Sequence, residues 1–377
     1  METRASGLAA MIAKWRSVLS RQTGDELEPT DDDAELEEAL AESAASWGDW
    51  APDWLLDGFE VRTYAMPDKP HLSEEGPGHL VANLVRAHPP QRRRAVLAIH
   101  GWNEYFFQRH LAEFWEDLGY DFYAVDLHRY GRSLQDGELP GYMEAVEDYY
   151  DELDACVELI KADHAQVLVY AHSTGGLTAS LYVADRPHTF VGLILNSPWI
   201  DMQGSALFRA LTPLVIRGLA VASPTMVLPT GENDLHGRTL HQAYHGEWNY
   251  DLRLKRIESQ PLRPGWTRAV VVAHDRIGTG LKIDCPILVG LSGRSSDPKE
   301  WCEDAWTSDI VLDVERVATR VHLLGWHTSL VRIDGAIHDL LLSRAPVRAR
   351  FFEEIRRWEL SYVRGKAAQA RVLAELD

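Results

Sequence analysis

Short apolar segments alternate with helical segments through most of this 377-residue chain, and this alternation restricts the fold more than any other feature. The segments AVLAIHG, YDFYAVDL, QVLVYAHS, TFVGLILNSP and PILVGLSG are apolar over nearly their whole length. Strands without a polar face are typical of a parallel sheet that helices cover on both sides. The alternation therefore predicts an α/β fold with a mostly parallel, twisted sheet.

The alternation is absent from two parts of the chain, and these parts define the predicted domains. The first 60 residues hold 15 of the 57 acidic residues and only four of the 38 basic ones, which predicts a leader that is largely disordered or helical. Between the fourth and fifth of these apolar segments, TFVGLILNSP and PILVGLSG, helical and polar aromatic segments replace the alternation, which predicts a helical lid. The predicted boundaries are 1–58 for the leader, 59–199 and 276–365 for the core, 200–275 for the lid and 366–377 for a C-terminal helical tail.

Composition and charge exclude several classes of function. The net charge is −19 and the chain has no basic stripe, so nucleic acid is not an expected partner. No segment reaches the roughly 20 apolar residues of a transmembrane helix, and no secretory signal is recognisable. The three cysteines are far apart and show no disulfide or metal pattern. We therefore expect a cytoplasmic protein without a metal or other cofactor; the sequence does not predict its oligomeric state.

The sequence AHSTG, residues 171–175, lies between a predicted strand and a predicted helix. Small residues two positions before and after Ser173 allow a sharp turn that exposes the hydroxyl, as in the G-x-S-x-G nucleophile elbow. The start of the helix adds free N–H groups and the positive end of its dipole. By itself the pattern also fits a serine that caps an ordinary helix. The other motifs of the chain favour a nucleophile.

Three further motifs follow predicted strands. HGWNE, residues 100–104, stands where a hydrolase with a nucleophile elbow places an oxyanion donor, so the N–H groups of Trp102 and Thr174 are expected to act together. The alternative is a plain turn at the end of a strand. DLHRYGRS, residues 126–133, is expected to be structural. His338, in GAIHD, follows the last predicted strand, which is the position of the general base.

In this order and spacing, HGWNE, DLHRYGRS, AHSTGG and GAIHD resemble the motifs of the α/β-hydrolase superfamily. They are most similar to those of the monoacylglycerol lipase and lysophospholipase group, which is also classed with the S33-type serine aminopeptidases. The resemblance covers residues 60–360 and implies an α/β-hydrolase fold. It also implies that Ser173 is the nucleophile, that His338 is the base, and that Trp102 and Thr174 form the oxyanion hole.

The chain departs from the family pattern in three places. Ala171 replaces the first glycine of the elbow, and Tyr105 stands where these lipases often have histidine. The loop after PILVG is unusually long. The first two departures leave the substrate open, and the third leaves the catalytic acid open. The candidate acids are Asp297, Asp304, Asp309 and Asp313.

We rank Asp309 first among these acids, because the apolar residues and predicted helix that follow it resemble the family's acid region. Asp297 ranks second. It is closest to the preceding strand, but Pro298 after it indicates an ordinary turn. Asp313 ranks third, because capping of the predicted helix explains it sufficiently.

The motifs together predict a serine hydrolase that cleaves carboxylic esters through a Ser-His-Asp triad and an acyl-enzyme intermediate. The predicted substrate is a small acyl ester or a monoacylglycerol-like lipid. Leu207, Phe208 and Leu211 of the lid are predicted to bind the acyl chain, although packing of the lid onto the core explains them equally well. The alternatives are a peptidase or thioesterase with the same triad and a non-catalytic binding protein on this scaffold.

Overall fold

A ten-stranded sheet forms the centre of the computed structural model, which describes residues 45–202, 215–229 and 234–365. Its strands are β1 (Ser46–Trp47), β2 (Ala51–Pro52), β3 (Glu60–Pro70), β4 (His79–Arg86), β5 (Arg94–Ile99), β6 (Asp121–Asp126), β7 (Gln166–His172), β8 (Gly192–Asn196), β9 (Ile287–Ser292) and β10 (Thr328–Ile333). The strand order is β1-β3-β4-β6-β5-β7-β8-β9-β10, with β2 paired to β3. Strands β5 to β10 are parallel and β4 is antiparallel to its neighbours, which confirms the predicted fold class.

Helices cover both faces of the sheet, because successive side chains of a strand point to opposite sides. In β5, Leu97 and Ile99 enter one core, whereas Val96 and Ala98 enter the other. The helices of the described part of the chain are α1 (Arg109–Asp117), α2 (Tyr150–Asp163), α3 (Ser173–Ala184), α4 (Leu235–Leu240), α5 (Pro264–Gly278), α6 (Val314–Arg320) and α7 (Ala345–Trp358), together with residues 215–222. Helices α2, α3 and α5 pack on the first face, and α1 and α7 on the second. Within the described ranges, no helix has the length and apolar character needed to cross a membrane.

Short turns of other helix types complete the secondary structure. The 3₁₀ turns span Gly131–Ser133, Val146–Tyr149, Glu303–Trp306, Val321–Leu323 and Leu340–Leu342, and a π-helical turn, Glu359–Arg364, follows α7. The first of them lies in the loop 126–133, which the sequence predicted to be structural. Asp126 accepts a hydrogen bond from the N–H of Phe106 at 2.8 Å, and the Ser133 hydroxyl donates to the Asp126 carbonyl at 2.6 Å. This loop therefore fixes the chain on either side of β6.

Residues 45–58 belong to the sheet rather than to the leader. Strands β1 and β2 both pair antiparallel with β3. Between β2 and β3, the buried Asp53 carboxylate accepts two hydrogen bonds from Arg132, at 2.8 and 2.6 Å. The predicted boundary at residue 58 therefore lies too late in the chain, because the sheet already begins at Ser46. Residues 1–44 of the predicted leader and the predicted tail, 366–377, are outside the described residues.

The predicted lid lies between β8 and β9, but its end is misplaced. Helix α5 begins within residues 200–275, yet its side chains Trp266, Val270 and Ala273 pack in the main core. The predicted boundary at residue 275 therefore cuts through a core helix. The preceding segment, 234–263, contains α4 and contacts the loop that follows β5.

Candidate active site

Ser173 lies at the sharp turn between β7 and α3. Its φ is +52°, a left-handed conformation that costs an L-residue about 1–2 kcal/mol. The turn brings α3 so close to its neighbours that a Cβ on Gly175 would lie 2.2 Å from the His100 carbonyl oxygen. Glycine is therefore required two residues after Ser173, whereas Ala171 fits two residues before it and is fully buried. This backbone geometry is that of a nucleophile elbow.

His338 and Asp309 extend from Ser173 as one chain of hydrogen bonds. His338 Nε2 is 3.0 Å from Ser173 Oγ, and His338 Nδ1 is 2.9 Å from Asp309 Oδ2. Both side chains are buried: His338 is 3% exposed and Asp309 is 0% exposed. An Nδ1–H that donates to the Asp309 carboxylate leaves Nε2 free to accept the Ser173 proton. The arrangement therefore links a carboxylate, an imidazole and a hydroxyl in the order required for nucleophile activation.

The loop around Asp309 holds its carboxylate in a fixed position. The Oδ1 atom accepts hydrogen bonds from the N–H groups of Val311 at 2.8 Å and Leu312 at 2.7 Å. The Asp309 backbone pairs with the start of the same loop, through Arg294 and Ser296, each at 3.0 Å. The long loop after β9 thus leaves the sheet and returns beside its own origin. This return places Asp309 next to His338 in spite of its distance from β9 along the chain.

The three other candidate acids have partners elsewhere in the described structure. Asp297 is exposed and pairs with Lys299 at 2.7 Å. Asp304 binds Arg294 at 2.6 Å on the surface. Asp313 caps α6, where its carboxylate accepts the N–H of Arg316 at 3.2 Å. The structure therefore brings only Asp309 of the four candidates into contact with His338.

Trp102 and Thr174, the predicted oxyanion residues, line the same cavity as Ser173. Thr174 is the second residue of α3, so its N–H has no acceptor within the helix, and the positive end of the helix dipole lies beside it. The loop 100–105 packs directly against the elbow, because a Cβ on Gly101 would lie 3.0 Å from the Ser173 Cβ. The loop 100–105 and the turn before α3 therefore meet at Ser173.

The cavity above Ser173 has a volume of about 400 Å³ and a wall of tryptophan side chains. The ring centroid of Trp266 is 4.1 Å from that of Trp102 and 5.8 Å from that of Trp199. Further apolar lining residues are Ile257, Leu262, Val311 and Leu312. The predicted acyl-binding residues Leu207, Phe208 and Leu211 are outside the described residues, so their role stays a prediction.

Glu104 is a buried carboxylate in the lining of this cavity. It is 1% exposed, it accepts the Gly101 N–H at 2.9 Å, and it lies 3.5 Å from the Lys255 ammonium. Burial raises the pKa of the Glu104 carboxyl, but the charges of Lys255 and His172 and the hydrogen bond from Gly101 outweigh burial and lower the pKa to about 2. The lining of the cavity therefore contains a buried ion pair between the loop 100–105 and the predicted lid.

A cation site could be suspected where Glu104, His172 and Asp339 each bring one ligand atom within 4.8 Å of the others. Each group already has a protein partner. Glu104 is paired as described, His172 Nδ1 is 3.1 Å from the Asn196 carbonyl oxygen, and Asp339 accepts the Asn196 side-chain amide at 2.6 Å. These partners account for the three groups without a metal ion.

His236 also lines the cavity, although its sequence neighbourhood, with His241 and His245 close by, is typical of a polar helix face. Its ring centroid is 5.7 Å from that of His338, and burial and the neighbouring His338 hold its pKa well below the ordinary value. The other two histidines face different partners: His241 contacts the Tyr250 carbonyl, and His245 stacks on Trp301. The three histidines differ only in where the fold of the segment 234–263 places their side chains. No local sequence pattern therefore identifies His236 as a cavity residue.

The sequence also matches a known family. Residues 90–294, more than half of the chain, match the family described as serine aminopeptidase, S33. The chain belongs to the S33 family. The S33 match includes the elbow and the loop 100–105, but it ends before Asp309 and His338. The contacts of these two residues with each other and with Ser173 are therefore seen in the structure of this chain and are not part of the family match.

Two curated proteins are similar to part of this S33 protein. It is 30% identical over 138 residues to a phospholipase, YtpA, of Bacillus subtilis, which covers 36% of this chain and 51% of the relative. It is 27% identical over 145 residues to a probable lysophospholipase L2 of Haemophilus influenzae, with 36% of this chain and 44% of the relative covered. The chain thus spans about half the length of the curated relatives it matches.

Solved structures share the fold of this S33 protein. A monoglyceride lipase of Saccharomyces cerevisiae superposes with a TM-score of 0.58 at 18% identity, and the match covers 78% of this chain and 96% of that chain. A monoacylglycerol lipase of Paleococcus ferrophilus superposes with a TM-score of 0.53 at 19% identity, covering 71% and 94%. At such identities the likeness concerns the fold, and it confirms the predicted α/β-hydrolase fold.

Proposed function

We propose that this S33 protein is a serine hydrolase that cleaves carboxylic esters through an acyl-enzyme intermediate. The observation that carries the proposal is the hydrogen-bonded chain of Asp309, His338 and Ser173 at a cavity with an apolar wall. These three groups supply an orienting carboxylate, a general base and a nucleophile. The names of the two partial relatives, a phospholipase and a probable lysophospholipase, support a lipid ester as the substrate.

In the proposed acylation step, Ser173 Oγ attacks the ester carbonyl carbon while His338 Nε2 takes the hydroxyl proton. Asp309 holds the Nδ1–H and stabilises the imidazolium that forms. The N–H groups of Trp102 and Thr174 would bind the negative oxygen of the tetrahedral intermediate, and two such donors lower the barrier by several kcal/mol. Collapse of the intermediate breaks the bond to the alcohol oxygen, which receives the proton from His338.

Deacylation repeats these steps with water as the nucleophile. His338 takes a proton from the attacking water, and the same two N–H groups bind the second oxyanion. Breaking the bond to Ser173 Oγ returns that proton to the serine and releases the carboxylic acid. The scheme needs no cofactor.

We further propose that the protein acts in the cytoplasm, because its cysteines are few and widely spaced along the sequence.

The tryptophan wall makes esters of medium-chain acids, including monoacylglycerols, the proposed substrates. Each methylene that leaves water for an apolar site contributes about 0.8 kcal/mol, which is roughly fourfold in kcat/KM. We therefore expect kcat/KM to rise steeply from acetyl to hexanoyl and octanoyl p-nitrophenyl esters. A uniform decline in kcat/KM with each added methylene would contradict the proposed acyl site.

A pair of tryptophan variants tests whether the wall causes this preference. Trp266→Ala removes the central ring of the wall and is expected to flatten the dependence of kcat/KM on chain length. Trp326→Ala is the matched control, because Trp326 is 89% exposed and does not line the cavity. An equal effect of both substitutions would argue against an acyl chain on the tryptophan wall.

A peptidase is the second candidate, because the family description names an aminopeptidase. An aminopeptidase must bind the α-ammonium group of its substrate, which calls for a free carboxylate near the nucleophile. The buried carboxylate of this cavity, Glu104, is already bound to Lys255 and to the Gly101 N–H. A second carboxylate, that of the exposed Glu258, also lines the cavity and is the group that an α-ammonium would bind in a peptidase. Faster turnover of aminoacyl p-nitroanilides than of every ester in the panel would favour the peptidase.

A further inference from the structure

The loop 100–105 and the segment 251–259 of the predicted lid are joined at four consecutive positions. The Trp102 indole N–H donates to Ser259 Oγ at 3.1 Å. The Asn103 amide exchanges two hydrogen bonds with the backbone of Arg256, at 2.7 and 3.1 Å. The remaining two contacts are the ion pair of Glu104 with Lys255 at 3.5 Å and the hydrogen bond from the Asp251 N–H to the Tyr105 hydroxyl at 2.8 Å. We call the segment 251–259 the clamp.

The loop and the clamp run antiparallel, and their contacts hold the last four residues of the loop, 102–105. Residue numbers rise from 102 to 105 along the loop, while those of the residues they contact fall from 259 to 251. Three members are almost inaccessible to solvent: Glu104 is 1%, Tyr105 is 2% and Lys255 is 5% exposed. Hydrogen bonds and charges at such depth hold their geometry, because water cannot replace a partner that moves away.

The Trp102 N–H lies between two peptide groups that the clamp controls. On one side, the Gly101 N–H is held by the Glu104 carboxylate, which in turn is held by Lys255. On the other side, Asn103 adopts a φ of +52° and is anchored to Arg256 through both atoms of its amide. Asparagine tolerates this left-handed conformation better than most residues. The clamp therefore acts with His100, whose Nδ1 is 2.8 Å from the Gly101 carbonyl oxygen of the same peptide group, to set where the Trp102 N–H points.

We propose that the clamp positions the oxyanion hole and that Asn103 is the positioning residue through which it acts. The inference rests on the proposed function, because it assigns the Trp102 N–H to the oxyanion. On this account, segment 251–259 is part of the catalytic framework and stays in place when substrate binds. Loss of the Asn103 amide releases the restraint on the Asn103 side of Trp102, so that its N–H can tilt away from the developing negative charge, which exists in the transition state and not in the bound ester.

The variant that tests the proposal is Asn103→Gly. Glycine keeps the positive φ without strain, so the substitution removes the two hydrogen bonds to Arg256 and leaves the backbone conformation accessible. We expect kcat for an octanoyl ester to fall by roughly 10- to 100-fold, the order of loss caused by small displacements of catalytic groups. We expect KM to stay within about threefold, because the lost interaction acts in the transition state.

Val272→Ala is the matched control, because Val272 lies outside the clamp on α5, is 53% exposed and does not line the cavity. It is expected to leave kcat and KM unchanged. A trifluoromethyl ketone with the octanoyl chain provides a second measurement, since its adduct with serine carries an oxyanion. Its inhibition constant should rise in Asn103→Gly by the same factor by which kcat/KM falls.

The outcomes separate this proposal from the proposed function. Wild-type protein without ester hydrolysis contradicts the proposed function itself. Active wild-type protein with an unchanged kcat in Asn103→Gly overturns the clamp proposal and leaves the ester hydrolase in place. A loss of kcat that is matched by an equal loss of folded protein, measured by circular dichroism, also overturns it, because the role of Asn103 would then be structural. Loss of kcat in folded protein, with KM retained and ketone binding weakened, supports it.

Discussion

Ser173→Ala is expected to lower kcat/KM for ester hydrolysis by about 10⁴-fold or more while the protein remains folded. The reason is chemical, because alanine cannot form the acyl-enzyme, whereas Asp309, His338 and the cavity are unchanged. Removing the hydroxyl should change the free energy of unfolding little, because its hydrogen-bond partner is the His338 side chain, at 3.0 Å, and not a group of the core. The measurement is steady-state kinetics with the preferred ester, together with a thermal unfolding curve of each protein.

Ser173→Gly is the matched variant for this experiment. Ser173 has a φ of +52°, which strains alanine and serine but not glycine. We therefore expect Ser173→Gly to be at least as stable as Ser173→Ala and equally inactive. Near-normal turnover by either folded variant would contradict the role of Ser173 as nucleophile.

Asp309→Asn is expected to lower kcat by several orders of magnitude, about 10³- to 10⁴-fold, without unfolding the protein. The Val311 and Leu312 N–H groups bind the Asp309 Oδ1 atom and would select the oxygen of an asparagine. The NH₂ group of asparagine would then face His338 Nδ1. Because an NH₂ group donates, it favours the tautomer with the proton on Nε2, and this tautomer cannot accept the Ser173 proton.

The chain supplies its own controls for this substitution. Asp297→Asn changes an exposed carboxylate that pairs with Lys299, and Asp313→Asn replaces one good helix cap with another. Both are expected to keep kcat within about twofold of wild type. If Asp297→Asn abolishes acylation while Asp309→Asn stays active, the assignment of the acid is wrong.

The core and the residues around Ser173 could be predicted because their signals are local. Strands such as β5 and β7 are continuous apolar segments, and the elbow is defined by small residues at fixed distances from Ser173. The ranking of the acids also rested on a local pattern, in which apolar residues and a helix follow Asp309. In the structure, Asp309 forms a hydrogen bond with His338. Asp297 is closer to β9 along the chain, but it lies on the surface.

Features that depend on the packing of distant segments could not be predicted. Strands β1 and β2 have two residues each, too few to show a period, so the sequence places the end of the leader after them. The cavity wall combines Trp102, Trp199 and Trp266 from three separate parts of the chain. The contacts between Asn103 and Arg256 join residues 153 positions apart. Such contacts depend on how the predicted lid packs against the rest of the chain, and no spacing within the sequence predicts them.

Covalent labelling with a fluorophosphonate tests most directly whether Ser173 is a nucleophile activated by His338. The account predicts a single adduct by intact mass, mapped to Ser173 by peptide analysis, and no adduct in Ser173→Ala. It also predicts that Asp309→Asn labels far more slowly than wild type, whereas Asp297→Asn labels at the wild-type rate. Folded wild-type protein that remains unlabelled, or that carries the adduct on another residue, would contradict the account.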